Sequence, residues 1–482
     1  MTLLRFVSLV LVSSALKFTV DSDSTPTCKG TLTQTDVDCE SQTKEECDNH
    51  YTASAPNGKT YVQCGWTGAQ CLSSGPQCKE KTDPWKSLPT LDAAVEAKVS
   101  WVDTPGLKLK SVANTQGLAA LGESKAMACG MNGHHPSWSN WMCLVLQVNA
   151  DNSITRGEVF DTGLPKSLGS PYLEGISEDR ALYCGKLGSF IKCQLLAAEG
   201  LKLKKVGDTF QVPHPDVRIT LEVTVQKLQD GKALVCQNED HGWAKDHHIS
   251  CTVLTDKGDS LVAGPLHTLV RGMPNAYGKA AMARRDSSSL VMCHNMNQKD
   301  KNVTCGMVSV KGDEVGWAGA TVDMDQGDGG GGMATVEVLT PDLAIYCWTR
   351  GNNKPCFHLA ITATSISKVT GGEFTMPRKS GHNYWQDGRM ARMWSDRFLY
   401  CFQNGRWDFW EWGNPLCMVV KTDGKTASLP EPTHPNGGND KQPKATVPAV
   451  VTLAPGRAMM CAEDKDCHNP PMGGCAVFYL PN

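Results

Sequence analysis

SKAMAC (residues 124–129), followed after a polar spacer by CLVLQV (residues 143–148), is a phrase that returns six more times along the chain. It closes at Cys129 and comes back as DRALYC at Cys184, GKALVC at Cys236, SSLVMC at Cys293, DLAIYC at Cys347, DRFLYC at Cys401 and GRAMMC at Cys461. The successive intervals are 55, 52, 57, 54, 54 and 60 residues. A second cysteine follows each first one: Cys143, Cys193, Cys251, Cys305, Cys356, Cys417 and Cys475. Behind it comes another apolar stretch, such as CQLLAA, CTVLTD, CGMVSV, CMVVKT or CAVFYL. Each half reads as a strand, because the runs are short, rich in Val, Leu, Met and Tyr, and bounded by Gly, Asp, Asn or Pro. The spacers are variable and polar, so the two strands form a hairpin. Cysteines opposed across such a hairpin are close enough to bridge. Closing each loop stabilises by roughly 3 kcal/mol in the chain-entropy treatment.

Two further strands fit in each period. Small residues precede the phrase, as in GLAALG, KAAMARR and GGMATVEV, and these belong where sheets crowd together. A turn and a segment such as SLVAGPLHTLV or EVGWAGATVDM follow the second strand. Four short strands in a repeat of about 50 residues resemble the β-propeller superfamily, over residues 92–482. The marks of its better-known subfamilies are missing: there is no GH…WD pair, no kelch double glycine and no sialidase-type S-x-D-x-G-x-x-W box. No family site residues carry over. The expected fold is therefore all-β, a seven-bladed β-propeller with one disulfide inside each blade. The last repeat stops at its third strand, and Ala93 to Val102 (AAVEAKVSWV) is predicted to supply its missing outer strand. That pairing closes the ring and removes an exposed edge. The competing architecture is an open solenoid or a string of small stapled domains.

The chain holds 21 cysteines, too many to keep as free thiols, which points to an oxidising compartment. Residues 1–22 read as a signal peptide, with Arg5 ahead of the apolar run Phe6 to Leu16. A membrane anchor is the alternative, but the run falls short of the ~20 residues a span needs, and Lys17 interrupts it. A secreted chain without a span after cleavage is expected. Cys28, Cys39, Cys47, Cys64, Cys71 and Cys78 make residues 23–80 a small disulfide-rich module, of connectivity that spacing does not choose. Residues 81–91 read as a linker. Cys467 is the odd thiol, free or joined to another chain if Cys461 pairs with Cys475. Net charge is −3, so no long-range pull toward nucleic acid is expected.

The loops between paired cysteines leave one face of a propeller, and they hold seven of the 13 tryptophans. The candidate ligand-binding residues are Trp138 and Trp141 in the first loop, Trp243 in the third and Trp348 in the fifth. The sixth, GRWDFWEWGN, adds Arg406, Trp407, Asp408, Trp410 and Trp412. Tryptophan beside Asp, Asn, Arg and His suits a sugar, whose C–H groups pack on the ring while polar neighbours take hydroxyls. The same residues suit a protein hot spot, or packing between blades without a ligand. His134, His135, His247 and His248 form no closed metal-ligand set, and Asp323, Asp325 and Asp328 miss the EF-hand spacing. No metal or cofactor is expected. Gly258-Asp259-Ser260-Leu261 carries the letters of an esterase motif, but the equivalent place in the next repeat reads KGDEVGWAG, so it reads as a repeated turn. No HExxH or G-x-S-x-G is present. Asn302 opens a glycosylation sequon in the fourth loop. The expectation is a non-catalytic extracellular recognition or scaffold protein. Carbohydrate or glycoconjugate is the leading ligand, protein adhesion comes second and glycan processing third.

Overall fold

Second and third strands of each repeat are apolar on both faces, so they pack on both sides. In the computed structural model they do so between neighbouring sheets. It describes 91, 95–105, 117–131, 140–165, 169–214, 219–240, 247–273, 280–295, 303–324, 334–348, 355–376, 388–403, 415–433, 435, 448–462 and 472–481, with short strands between 31 and 79. Two compact units divide between Lys86 and Ser87. In the first, Thr31–Thr33, His50–Ala53, Thr60–Gln63 and Gln77–Lys79 form a four-stranded sheet, and Gly65–Trp66 pairs with Cys71–Leu72. The six cysteine side chains of that module lie outside the described residues.

The second unit is a seven-bladed β-propeller. Its innermost strands are Leu118–Ala120, Gly169–Gly175, Ile219–Gln229, Ala281–Arg284, Ala334–Thr340, Gly388–Trp394 and Ala449–Ala454, in blades 1 to 7. Each is followed by the two strands of the cysteine hairpin and, in blades 1 to 6, by an outer strand. The small-residue segments thus stand innermost, as their composition predicts. Gly175 shows why: a Cβ there would run into the carbonyl oxygen of Ala120 in the blade before it. The outer strand is split into two pieces in blades 1, 3 and 4, which the weak apolar pattern of those stretches does not disclose.

Closure follows the predicted route. Lys98–Pro105 pairs antiparallel with Met472–Tyr479, so that Val102 faces Cys475 and Lys98 faces Tyr479. The strand begins a few residues later than the sequence pattern indicates. Trp101 fills the space over Gly474, where any Cβ would overlap its ring.

The core is a ring of seven apolar clusters, one at each interface between consecutive blades. Alternation along one strand explains this. Cys143 and Val145 face blade 2 with Tyr183 and Leu196, while Leu144 and Leu146 face blade 7 with Met459 and Val477. The seventh interface joins the last blade to the first, so no apolar sheet face is left open. Polar clamps reinforce the seams. Arg180 of blade 2 reaches both carboxylate oxygens of Asp256 in blade 3 at 2.8 and 2.9 Å. Trp317 of blade 4 donates its indole N–H to the Leu269 carbonyl at 2.9 Å.

All seven predicted disulfides form, and each lies inside one blade. The paired residues stand directly opposite on adjacent strands, with Cα atoms 4.0–4.1 Å apart. A set of buried cystines of this kind is the mark of a protein matured in an oxidising, extracytosolic setting. Among the described residues, no helix is long and apolar enough to cross a membrane.

Candidate functional site

Every second strand runs toward the same face and every third strand runs back from it. The seven connecting loops therefore leave one face, and each springs from just beyond a disulfide rung. Trp138, Trp243, Arg406, Trp407, Asp408, Trp410 and Trp412 lie in these loops, outside the described residues, as do His134, His135, Asn302 and Cys467. Trp348 ends a strand one residue after Cys347, and its side chain is also outside them.

Trp141 requires a correction. It belongs to the third strand of blade 1, Asn140–Val148, and not to the loop. It is only 3% exposed and packs against Tyr183 of blade 2, with ring centroids 5.9 Å apart. The physical reason is strand periodicity: Trp141 is two residues from the buried Cys143 and so shares its core-facing side. It is an inter-blade packing residue.

The other sequence candidates fall as follows. His247 and His248 sit on one strand across from Asp240 and Glu239. His247 is buried and His248 half-buried, so they point to opposite sides. Glu239 is fully buried and accepts from Gln237 Nε2 at 2.8 Å and Ser250 Oγ at 2.9 Å, so both its oxygens are engaged in structural hydrogen bonds. Asp323 accepts from Thr304 Oγ1 at 2.8 Å, while Asp325 and Asp328 lie outside the described residues. Among the described residues, no group of three or more His, Cys, Asp and Glu could hold a metal ion. Ser260 lies in a turn closed by the Lys257 N–H on its own carbonyl at 2.9 Å, the repeated connection between third and outer strands.

The polar groups that converge in this structure are elsewhere, around the axis. Counting back from the first cysteine of each blade, Glu174 of blade 2 and Glu337 of blade 5 occupy the same position, ten residues upstream. One residue on, three blades carry cations: Lys227, Arg284 and Arg392. Tyr172 and Arg389 stand level with the disulfide rungs, paired with Cys184 and Cys401. All of these lie on innermost strands, whose free edges meet solvent at the axial lumen. Tyr172, Glu174, Glu337, Arg389 and Arg392 accordingly keep partial exposure while enclosed by blades.

An innermost strand has an unpaired edge, and its N–H and C=O groups need partners. Side chains from neighbouring blades supply several. Glu174 Oε1 accepts the Lys227 N–H at 3.1 Å and Glu337 accepts the Arg392 N–H, the same bond at two places in the ring. Arg284 donates to the Leu228 carbonyl at 3.1 Å, and Thr452 donates to that of Arg392 at 2.8 Å. These bonds tie neighbouring blades together around the axis.

The same neighbours set the ionisation of these groups. Burial pushes Glu174 up to about 7, against the Lys227 N–H and the charges of Lys227 and Arg284. Burial pushes Glu337 up to about 8, against Arg392 and its N–H, and the charge of Glu174 raises it further. Blades 2 and 5 stand nearly opposite across the ring, so Glu174 and Glu337 bear on each other only through the lumen. Tyr172 is raised by burial and by Glu174, with Arg389 of blade 6 opposing and Glu337 adding. Two carboxyls that titrate near neutrality among four cations thus line the channel beneath the loop face. The repeat register of Glu174 and Glu337 was a readable signal for them.

No protein-family model and no curated protein matches the sequence. Solved structures match it. The WD40 domain of Toxoplasma gondii coronin superposes with a TM-score of 0.51 at 9% identity, covering 82% of this chain and 88% of that one. The polysaccharide lyase Uly1 gives 0.47 at 10% identity, over 80% of this chain and 100% of its own. A subtype N11 neuraminidase-like protein from a flat-faced bat gives 0.34 at 9% identity, over 68% and 90%. The likeness is one of fold. Propellers of this shape include enzymes and non-enzymes, and the shape does not choose between them.

Proposed function

We propose that the protein is a secreted, non-catalytic recognition protein that binds carbohydrate or glycoconjugate on the face where the cysteine hairpins open. One observation carries this reading: all seven hairpins are stapled by a buried disulfide at the base of their loops, and all seven open on the same face. Rigid bases give loops a fixed origin around one channel mouth, which reduces the ordering cost of binding. Four of those hairpins bring tryptophan among Asp, Asn, Arg and His, the residue types that take sugar C–H faces and hydroxyls. The test is a glycan array probed with native protein and with a Trp407→Ala, Trp410→Ala, Trp412→Ala variant. Native binding that the variant loses supports the proposal. An array that stays blank, with an extracellular protein recovered by pull-down, replaces it with adhesion.

A second reading is favoured by Glu174 and Glu337. Two carboxyls in one lumen, both raised by burial, are a pair that glycan processing could use as acid and base. Release of reducing ends from array-positive glycans, abolished in Glu337→Gln, would move the protein into that class.

A further inference from the structure

We infer that His358 and Thr422 form a proton-operated latch across the seam between blades 5 and 6, which makes one seam of the closed ring respond to acid. The latch is independent of any ligand on the loop face.

His358 is on the third strand of blade 5, Pro355–Ile361, two residues after Cys356, and is fully buried. The step of two turns it to the side of Cys356, which packs against blade 6. Thr422 ends the third strand of blade 6, Pro415–Thr422, and is buried as well. His358 Nε2 and Thr422 Oγ1 are hydrogen-bonded across the seam. The other ring nitrogen is held from within blade 5. There the outer strand, Ile366–Thr375, bulges opposite His358: Phe357 pairs with Glu373 and Leu359 with Lys368, so residues 369–372 stand against one histidine. The bulge turns at Gly371, in the left-handed region at φ 72°, and brings the Gly372 carbonyl to Nδ1 at 2.7 Å.

A carbonyl only accepts, so Nδ1 carries a hydrogen at every pH. Nε2 then has a lone pair when the ring is neutral and an N–H when it is charged. Thr422 has one hydroxyl hydrogen and two acceptors within reach, Nε2 and the Thr426 carbonyl at 2.8 Å. With the ring neutral, the hydroxyl donates to Nε2 and ties the two blades. With the ring charged, Nε2–H donates to Oγ1, and the hydroxyl hydrogen turns to the Thr426 carbonyl. In both states Oγ1 accepts the Gly424 N–H at 3.0 Å, and the Thr426 carbonyl accepts the Asp423 N–H at 3.3 Å. Protonation thus moves one hydrogen bond from the seam into the turn between the third and outer strands of blade 6, and leaves each of these groups with a partner.

Burial holds the ring below the usual histidine value of 6.5, against the Gly372 bond and the charge of Asp423. Asp423 is held at about 2 by the Thr426 and Lys425 N–H groups and the Thr426 hydroxyl, so it stays ionised while the histidine titrates. Lys425 of the same turn lies over the bulge, its Cε 3.4 Å from where a Gly371 Cβ would stand. Lys368 and Glu373 pair with Leu359 and Phe357 and so face the other side of the sheet. Ile345, opposite on the second strand, and Phe374, with ring centroids 5.1 Å away, carry no charge. The folded value is lowered, so the unfolded chain takes up this proton first. The site's contribution to stability is complete above pH 6.5 and is lost as pH falls through the folded value.

The experiment is NMR of the full chain with 15N-labelled histidine from pH 8 to pH 4, with the His358 signals identified by their loss in His358→Gln. At pH 8 the ring is expected as the Nδ1–H tautomer. It should charge reversibly below the usual histidine range while circular dichroism shows the chain folded. Thr422→Val removes the acceptor of the charged ring and should lower its proton affinity about tenfold, roughly one pH unit in the midpoint. Thr422→Ser should bring the native midpoint back. An Nε2–H tautomer at pH 8 overturns the inference, as does a ring that stays neutral to pH 4 or charges only as the chain unfolds. A midpoint that Thr422→Val does not move overturns it too. If Thr422→Val does not fold, the tautomer and the reversible titration of the native chain decide.

Discussion

Replacing Glu337 by Gln keeps the side-chain shape and the acceptor for the Arg392 N–H, and removes only the ability to ionise. Burial holds the native carboxyl at about 8, against 4.5 in the unfolded chain. The folded-state value is raised, so the folded protein binds the extra proton between these values. The contribution to stability is therefore complete below pH 4.5, declines as pH rises, and is gone above about pH 8. At about 1.4 kcal/mol per pKa unit the upper limit is roughly 5 kcal/mol. Solvent screening of this half-buried side chain reduces this to about 2 kcal/mol. Glu337→Gln should thus match the native protein at pH 5 and exceed it at pH 9 by that amount. For a propeller of this size the gain is about 2–4 °C in Tm, smaller per kcal/mol than in a small domain. Melting curves from pH 5 to pH 9 read it directly. Parallel curves at all pH values would refute the reasoning. So would a variant less stable than native at pH 9, which would mean a carboxylate ionised and paired with Arg392.

Three further outcomes follow from the architecture. Cys184→Ala with Cys193→Ala opens a loop of sequence separation 9 and should cost roughly 3 kcal/mol in non-reducing guanidinium unfolding; an unchanged midpoint would mean that this staple adds nothing. Gly175→Ala drives a methyl into the Ala120 carbonyl and should destabilise by about 1–3 kcal/mol as blades 1 and 2 are forced apart, read by the same titration. Deleting residues 93–105 uncovers the edge of Met472–Tyr479 and should yield oligomers in light scattering, whereas a compact monomer would show that closure does not depend on Lys98–Pro105.

The blades were legible because their determinants are local. The first cysteine, the second cysteine and the apolar runs around them set strand, partner and register within about 25 residues, and the repeat shows the same solution seven times. Ala93 to Val102 was legible as a closing strand for a related reason: the pattern of the seventh repeat stops at a third strand, and an extra strand-like segment stands ahead of the first repeat. Trp141 was misplaced because the residues that precede it are polar, whereas its orientation is fixed by the step of two to Cys143. Glu174 and Glu337 were hidden differently. A glutamate between apolar residues, as in YLEGI or TVEVL, has the pattern of an ordinary solvent-facing position in a half-buried strand. Only ring closure turns that solvent face into a lumen shared by seven blades, which brings residues 163 positions apart within electrostatic reach. Their equal distance from Cys184 and Cys347 is the one trace left in the sequence.

Peptide mapping of the non-reduced protein by mass spectrometry tests the foundation most directly. Seven links are predicted: Cys129–Cys143, Cys184–Cys193, Cys236–Cys251, Cys293–Cys305, Cys347–Cys356, Cys401–Cys417 and Cys461–Cys475. Links that join cysteines of different repeats, or free thiols at these positions, would contradict the stapled ring and the recognition face built upon it.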